Sequence, residues 1–562
     1  MGNSHSRSNR ARSPAVKRAQ SSTSRLLRKL SCISASSLDG LSDVTTEIDE
    51  KGTIRERDRL TAVTPPGIDP DIEMDNAYSD FIDAYPEYQN TWIVDSLRRS
   101  EFTRLAHSGE TYVDYMGGSL YPESLVRSHS DFLTRSVMGN THSVSNSSRL
   151  SATRVAEARN AVLRYFKAPA DYTVIFTSNA TAALKLVGES YPFSPGGSYV
   201  LGVDSHNSLN GIRKFASDGG ARIRYLRSGR HGGFDEAEVK SVLSDHSPSD
   251  CSPCLFGLTG LSNISNSKYP LSLSAYAQSL GYHTILDAAA LAATSPISLE
   301  DNPVDAMAIS FYKMFGFPTG VGALVVKESF LKVLKRPWFS GGTVDVVQVP
   351  GSLVTMTHDS HEQFEDGTIN YLVLPAITQG IRFLSTYMPF LPVRLSALLR
   401  YLTSQLEQLR HDVNGAPVVR ILSQRSMRRV KEFGDQSDTG FTISMIFLAP
   451  DGTMISNSFV EYTASQQKIS LRTGCVCNPG GAAVILGIEE DMNLLYPGVT
   501  LKDFERRVGR ELGVVRISLG LVSSFADVYK VMQFASAFAS GRTRMELWKV
   551  WDEARSRHHG RH

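Results

Sequence analysis

Cysteine is scarce: Cys32, Cys251, Cys254, Cys475 and Cys477 are the only five in 562 residues. Thiols so few and so scattered do not form the disulfide framework that holds small secreted domains. Cys251 and Cys254 make a CxxC, but the next pair, Cys475 and Cys477, is too distant along the chain to complete a zinc module. No metal site is expected. Long apolar runs are missing too; none approaches the eighteen residues of a membrane-spanning helix, and no internal repeat is visible. Net charge is only +2, and it is unevenly placed. Acids are absent before Asp39, whereas residues 1–38 hold Arg7, Arg10, Arg12, Lys17, Arg18, Arg25, Arg28 and Lys29, which leaves −6 on the rest of the chain. A mildly acidic body gives no reason to expect nucleic-acid binding.

What is present divides the chain into four. Residues 1–75 are rich in Ser, Arg and Pro without sustained periodicity, as in a disordered extension. Their start, Met1-Gly2-Asn3-Ser4-His5-Ser6, fits an N-myristoylation pattern at Gly2. The acid-free, Arg-rich composition equally fits a mitochondrial transit peptide, and a plain solvated tail in a cytoplasmic protein fits as well. Residues 76–375 alternate strand-like runs (Thr173–Phe176, Tyr199–Leu201, the run CLFGLTGL that begins at Cys254, His283–Leu286, Gly322–Val326) with helical stretches near 150–166 and 270–280. Such alternation predicts an α/β layer with a mostly parallel sheet, which binds ligands where strands end. Residues 376–545 read as a smaller α+β domain. It opens on a helix with Leu395, Leu398, Leu402, Leu406 and Leu409 on one stripe and has strand-like runs at Phe441–Phe447, Lys468–Leu471 and Val514–Ser518. Residues 546–562 are a short basic tail.

Five segments carry candidate chemistry. Lys313 lies between aromatics and glycines in SFYKMFGFPTG, just before a strand; a desolvated lysine there suits Schiff-base formation with an aldehyde. Asp287 ends an apolar run, where a carboxylate either caps the strand or keeps a pyridine nitrogen protonated. Thr177–Leu184 (TSNATAAL) opens a helix with hydroxyls and small residues, which suits a phosphate or simple capping. His206 follows a strand and could stack on an aromatic ring, or be structural. In LRTGCVCNPGG, Cys475 and Cys477 lie in a glycine-bounded loop read as mobile and accessible, with Arg472 available to favour a thiolate; two buried small hydrophobes are the alternative.

Together these segments resemble the cysteine-desulfurase branch of the class V aminotransferases, and within it the N-terminal domain of eukaryotic molybdenum cofactor sulfurases. The resemblance rests on Asp171–Leu186, Ser310–Gly322, Phe364–Thr368 (FEDGT), Gly415–Ile421 (GAPVVRI) and Leu471–Asn478, and covers about residues 105–540. It implies fold type I of the pyridoxal 5'-phosphate (PLP) enzymes: a large domain with a mostly parallel mixed sheet flanked by helices, and a smaller α+β domain on which residues near 105–125 also pack. It further implies that Lys313 carries the cofactor, Asp287 partners the pyridine nitrogen, and His206 stacks on the ring and shares in catalysis. Ala180, Thr181 and Ser310 would hold the phosphate, with Tyr312 where bacterial relatives often have His. Gly342, Thr343 and Thr368 would reach the phosphate of a second subunit, implying a homodimer. Asn263 would contact cofactor and substrate, Arg516 would grip the substrate carboxylate, and Cys477 would receive sulfur as a persulfide. Cys475 is left without a role.

Two departures stand out. Ala290 replaces the Gln that many desulfurases place against the cofactor's phenolic oxygen, and the match stops near residue 540, without the molybdopterin-handling domain of the sulfurases. The implied reaction takes sulfur from L-cysteine and releases alanine. The acceptor, whether molybdenum cofactor on a separate receiver protein or another molecule, is left open. Another class V PLP reaction (a lyase or an aminotransferase) and a non-catalytic PLP-fold interaction protein are the alternatives.

Overall fold

The computed structural model describes residues 70–248 and 252–559. The Gly2 motif, the basic N-terminal residues, Cys32 and Cys251 lie outside the described residues. A helix, Pro70–Ala84, already begins within the segment read as extension.

The larger sheet has seven strands in the order Tyr172–Thr177, Gly322–Lys327, Ala306–Ser310, His283–Asp287, Leu255–Thr259, Ser198–Gly202, Arg222–Leu226. Only Gly322–Lys327 runs against its neighbours; the pairings among the last five strands are parallel. Helices such as Asn146–Tyr165, Ala180–Ser190 and Ser272–Ser279 connect and cover these strands. Every residue of Ser198–Gly202, Leu255–Thr259 and Ala306–Ser310 is buried, which is why they are continuous apolar runs rather than alternating ones. Cys254 is buried at the start of its strand, where Ser198 N and Oγ both donate to its sulfur at 3.2 Å.

The second sheet is antiparallel, ordered Val419–Ile421, Thr442–Phe447, Val514–Ser518, Arg472–Gly474. The run at 468–471 does not join it; Ile469–Ser470 pairs in parallel with Thr111–Tyr112 instead. Against this sheet lies the helix Leu391–Gln408, with Leu395, Leu398, Leu402 and Leu406 fully buried, while Leu409 sits just past its end. The same helix buries Arg394 completely, a cation no apolar stripe predicts. Its guanidinium is satisfied by Ser523 O, Thr91 Oγ1 and Asp95 and stacks on Tyr88. The C-terminal residues form a helix, Gly541–His559, rather than a free tail, and Trp548 and Trp551 pack on Phe459.

Candidate active site

The carboxyl ends of the sheet strands converge on one edge, and the sequence-predicted residues follow those ends. Strand register sets Thr259, Asp287 and Ala308 side by side, and Ser310 opposite Gly322. The next residues of each chain turn are Ala180 and Thr181 after Thr177, His206 after Gly202, Asn263 after Thr259 and Lys313 after Ser310. Lys313 sits on a short helix, Phe311–Phe315, between the strands Ala306–Ser310 and Gly322–Lys327.

Just past the strand end at Thr177, the helix Ala180–Ser190 starts with Asn179 capping Ala182 N at 2.9 Å. Ser310 Oγ accepts the Ala180 N–H at 2.9 Å, and Thr181 Oγ1 meets Ser208 Oγ at 2.7 Å. His206 Nδ1 accepts from Ser208 N at 3.1 Å, which leaves the other ring nitrogen to carry the proton of the neutral imidazole. Burial lowers the His206 pKa, against the pull of Asp287.

Lys313 borders a narrow cavity with Ala289, Ala290, Thr294, Thr442 and Gly520. Burial lowers its pKa; Arg516 and Arg472 act the same way, and Asp287 and Asp114 oppose them. The neutral amine is therefore favoured, as nucleophile or base requires. Tyr312, beside it, packs on Gly118, and burial raises its pKa, so it stays protonated.

The cysteine loop is pinned rather than free. Asn263 Nδ2 donates to Val476 O at 2.6 Å and Asn207 N donates to Cys477 O at 2.7 Å. Asn478 Nδ2 reaches Asp204 Oδ1 at 2.7 Å and Asn263 Oδ1 at 3.1 Å. Asp204, fully buried, also accepts from Ser262, Ser265 and Tyr269, so its charge is held by four donors. Val476 and Cys477 both have positive φ, 45° and 58°, a conformation that costs a non-glycine residue about 1–2 kcal/mol. Cys477 lies within electrostatic range of Tyr312, Arg472 and Arg516, the last two of which also act on Lys313. The lysine and the thiol thus belong to one charge cluster. Cys475 faces another way, packed with Val476, Ala483 and Leu512, and burial pushes its thiol up to about 11.

Gly342, Thr343 and Thr368 form a separate group. Gly342 (φ +86°) lies against Gly367 O and His142, and Thr368 Oγ1 accepts from Asn140 at 3.2 Å. Thr343 is buried, with its hydroxyl engaged by Ser340 N and O at 3.0 and 2.9 Å. No hydrogen bond among the described residues joins this group to Lys313 or Asp287.

Two carboxylates of the site escaped sequence reading. Asp204 follows a strand, as His206 does, and that position was the available signal. Asp114 comes from the distant segment Thr111–Gly118 and bridges Arg516 (2.8 Å) and Arg472 (2.9 and 2.7 Å). Arg516, 2% exposed, also donates to Asn263 O at 3.1 Å, while its buried Nε has no partner. An amine with lowered pKa, a strand-end carboxylate, a hydroxyl-lined helix start and a guanidinium with an unmet donor fit an aromatic aldehyde phosphate and an amino acid beside it.

This chain belongs to the Aminotransferase class-V family, which its residues 111–433 match. That family is one of PLP-dependent enzymes. Among curated proteins it is similar to molybdenum cofactor sulfurase of Arabidopsis thaliana, 33% identical over 484 residues that make up 80% of this chain and 58% of the relative. The molybdenum cofactor sulfurase of Bos taurus is 35% identical over 463 residues, 78% of this chain and 51% of the relative. The chain thus spans little more than half the length of these relatives. Its fold is that of the apo cysteine desulfurase of Thermococcus onnurineus (TM-score 0.63, 20% identity, covering 79% of this chain and 97% of the other). The Escherichia coli cysteine desulfurase CsdA has the same fold (TM-score 0.61, 19% identity, 81% and 98% covered).

Proposed function

We propose that the protein is a PLP-dependent, cysteine desulfurase-like sulfurtransferase that draws sulfur from L-cysteine onto Cys477 and releases alanine. The observation that carries this reading is that Asn263 ties the buried arginine to the cysteine loop, its backbone oxygen taking Arg516 at 3.1 Å and its side chain holding Val476 O, next to Cys477, at 2.6 Å. Bound PLP supplies an electron sink for negative charge at the carbon next to an attached amino group. Lys313 Nζ, whose pKa burial lowers, holds the cofactor and, once released from it, takes the proton from that carbon. Asp287 keeps a proton on the ring nitrogen, His206 covers the ring face, and the Ala180–Thr181 helix start with Ser310 receives the phosphate. Arg516 Nε and Nη groups grip the substrate carboxylate while Asn263 orients them. Cys477 as thiolate attacks the substrate sulfur; the carbon–sulfur bond breaks toward carbon and the persulfide remains on Cys477. Pinning of the loop by Asn207, Asn263 and Asn478 keeps that sulfur at the site.

A homodimer is part of this reading. Trp338, Phe339, Val346, Val349 and Leu353 are all exposed on and beside the hairpin Val344–Met356 that adjoins Gly342, an apolar patch that association would cover. Thr343, engaged by Ser340, is not one of the residues offered to the partner; Gly342 and Thr368 are. Molybdenum cofactor is the proposed final acceptor, by likeness to the sulfurases.

Purified protein supplied with PLP and L-cysteine should form alanine and, with a reductant, sulfide. Lys313→Ala should lower alanine formation by at least about 10²-fold, and Cys477→Ala should stop sulfide release. Alanine or another product formed at the wild-type rate without Cys477 would instead favour a different class V reaction.

A further inference from the structure

The strands Arg472–Gly474 and Val514–Ser518 pair in a register that sets Arg472 directly opposite Arg516. Like charges facing each other across a ladder destabilise it, and here one of the two is 2% exposed. Asp114 resolves the conflict. Its Oδ1 takes Arg516 Nη2 at 2.8 Å, and its Oδ2 takes Nε and Nη2 of Arg472 at 2.9 and 2.7 Å. The carboxylate is itself buried and held from behind: its backbone oxygen accepts from Gly117 N at 2.9 Å, and a Cβ at Gly117 would come within 2.4 Å of Oδ2. Glycine at 117 is thus what lets the chain close over the pair. Another carboxylate, Glu461, is bonded to Thr473 and, among the described residues, makes no hydrogen bond to either arginine.

We infer that Asp114 is a positioning and specificity-determining residue: by sharing one carboxylate between two arginines it leaves the pair of guanidiniums with a single net positive charge and Arg516 Nε buried without a partner, so the site accepts amino acids with one anionic group and disfavours those with two. This rests on the functional reading above and deepens it. Without Asp114 the same pocket would present two cations to a ligand, and a second carboxylate would find a partner in Arg472. With Asp114 in place, that second carboxylate meets an occupied guanidinium and a like charge. Among the described residues the Asp114 carboxylate accepts hydrogen bonds from the two arginines and not from Lys313, so its hold on a ligand runs through them.

The test is calorimetric titration of the PLP-loaded protein with L-alanine and L-aspartate, neither of which can be desulfurated. Wild type should bind L-alanine more tightly than L-aspartate. Asp114→Asn, nearly isosteric, should shift the ratio of the two Kd values toward L-aspartate by about tenfold, the scale of one partly screened charge at this distance. Adding Arg472→Gln restores one net positive charge and should return the ratio toward that of wild type, which a merely structural role for Asp114 would not do. If Asp114→Asn does not fold, Arg472→Gln alone should weaken L-aspartate more than L-alanine. An unchanged ratio in these variants overturns the inference while leaving the functional reading intact. Failure of wild type to bind either amino acid or L-cysteine overturns the functional reading, and the inference with it.

Discussion

Cys475 and Cys477 are two residues apart, yet their surroundings give them different chemistry. Burial pushes Cys475 up to about 11, whereas Cys477 sits among Tyr312, Arg472 and Arg516. Since only the thiolate attacks, iodoacetamide near neutral pH should label Cys477 well before Cys475 in the folded protein. Peptide mass mapping at short times checks the order, and denaturation should abolish the difference. His361 offers a pH test of the fold. Burial, together with the positive charge of Arg159, lowers its pKa to about 4. Between about 6.5 and 4 the unfolded chain binds a proton there that the folded chain refuses, so stability falls as pH drops through that window. His361→Gln should flatten this part of the profile, read as urea midpoints at about pH 7 and 5.

At the scale of elements, apolar runs identified the core strands because the strands of the parallel part of the sheet are buried along their whole length, and the leucine stripe of 391–408 reported the face that helix buries. The strand-end residues Asp287 and His206 were legible for the same reason: they follow runs that could be found, whereas Lys313 follows Ala306–Ser310, a strand the apolar pattern did not single out, and was marked by its aromatic and glycine flanks. Asp114, Asp204 and Arg394 were not, because their partners are far away in sequence and no local pattern marks a carboxylate that will meet two arginines. The state of the cysteine loop was also hidden. Glycines on either side suggest freedom, and the asparagines that fasten it come from other turns. Asn478→Ala removes bonds to Asp204 and Asn263. It should cost about 1–3 kcal/mol in stability and speed hydrogen exchange across residues 474–481. Sulfide formation should fall more than cofactor binding does.

For the molecule as a whole, the proposed dimer predicts a light-scattering mass of about twice the chain's 61.7 kDa. Val349→Asp, on the exposed hairpin, should shift it toward a single chain. The cysteine loop has a position that matters at this scale as well. Its root, Arg472–Gly474, is hydrogen-bonded into the antiparallel sheet, whereas Val476, Cys477 and Asn478 rest on Asn263, Asn207 and Asp204 at the edge of the parallel one. A handful of residues therefore straddles the seam between the two layers, so a slide of one layer over the other would carry the Cys477 sulfur with it. In the proposed sulfur transfer, a binder that wedges or locks that seam would govern delivery of the atom from a distance, without approaching the place where it is captured.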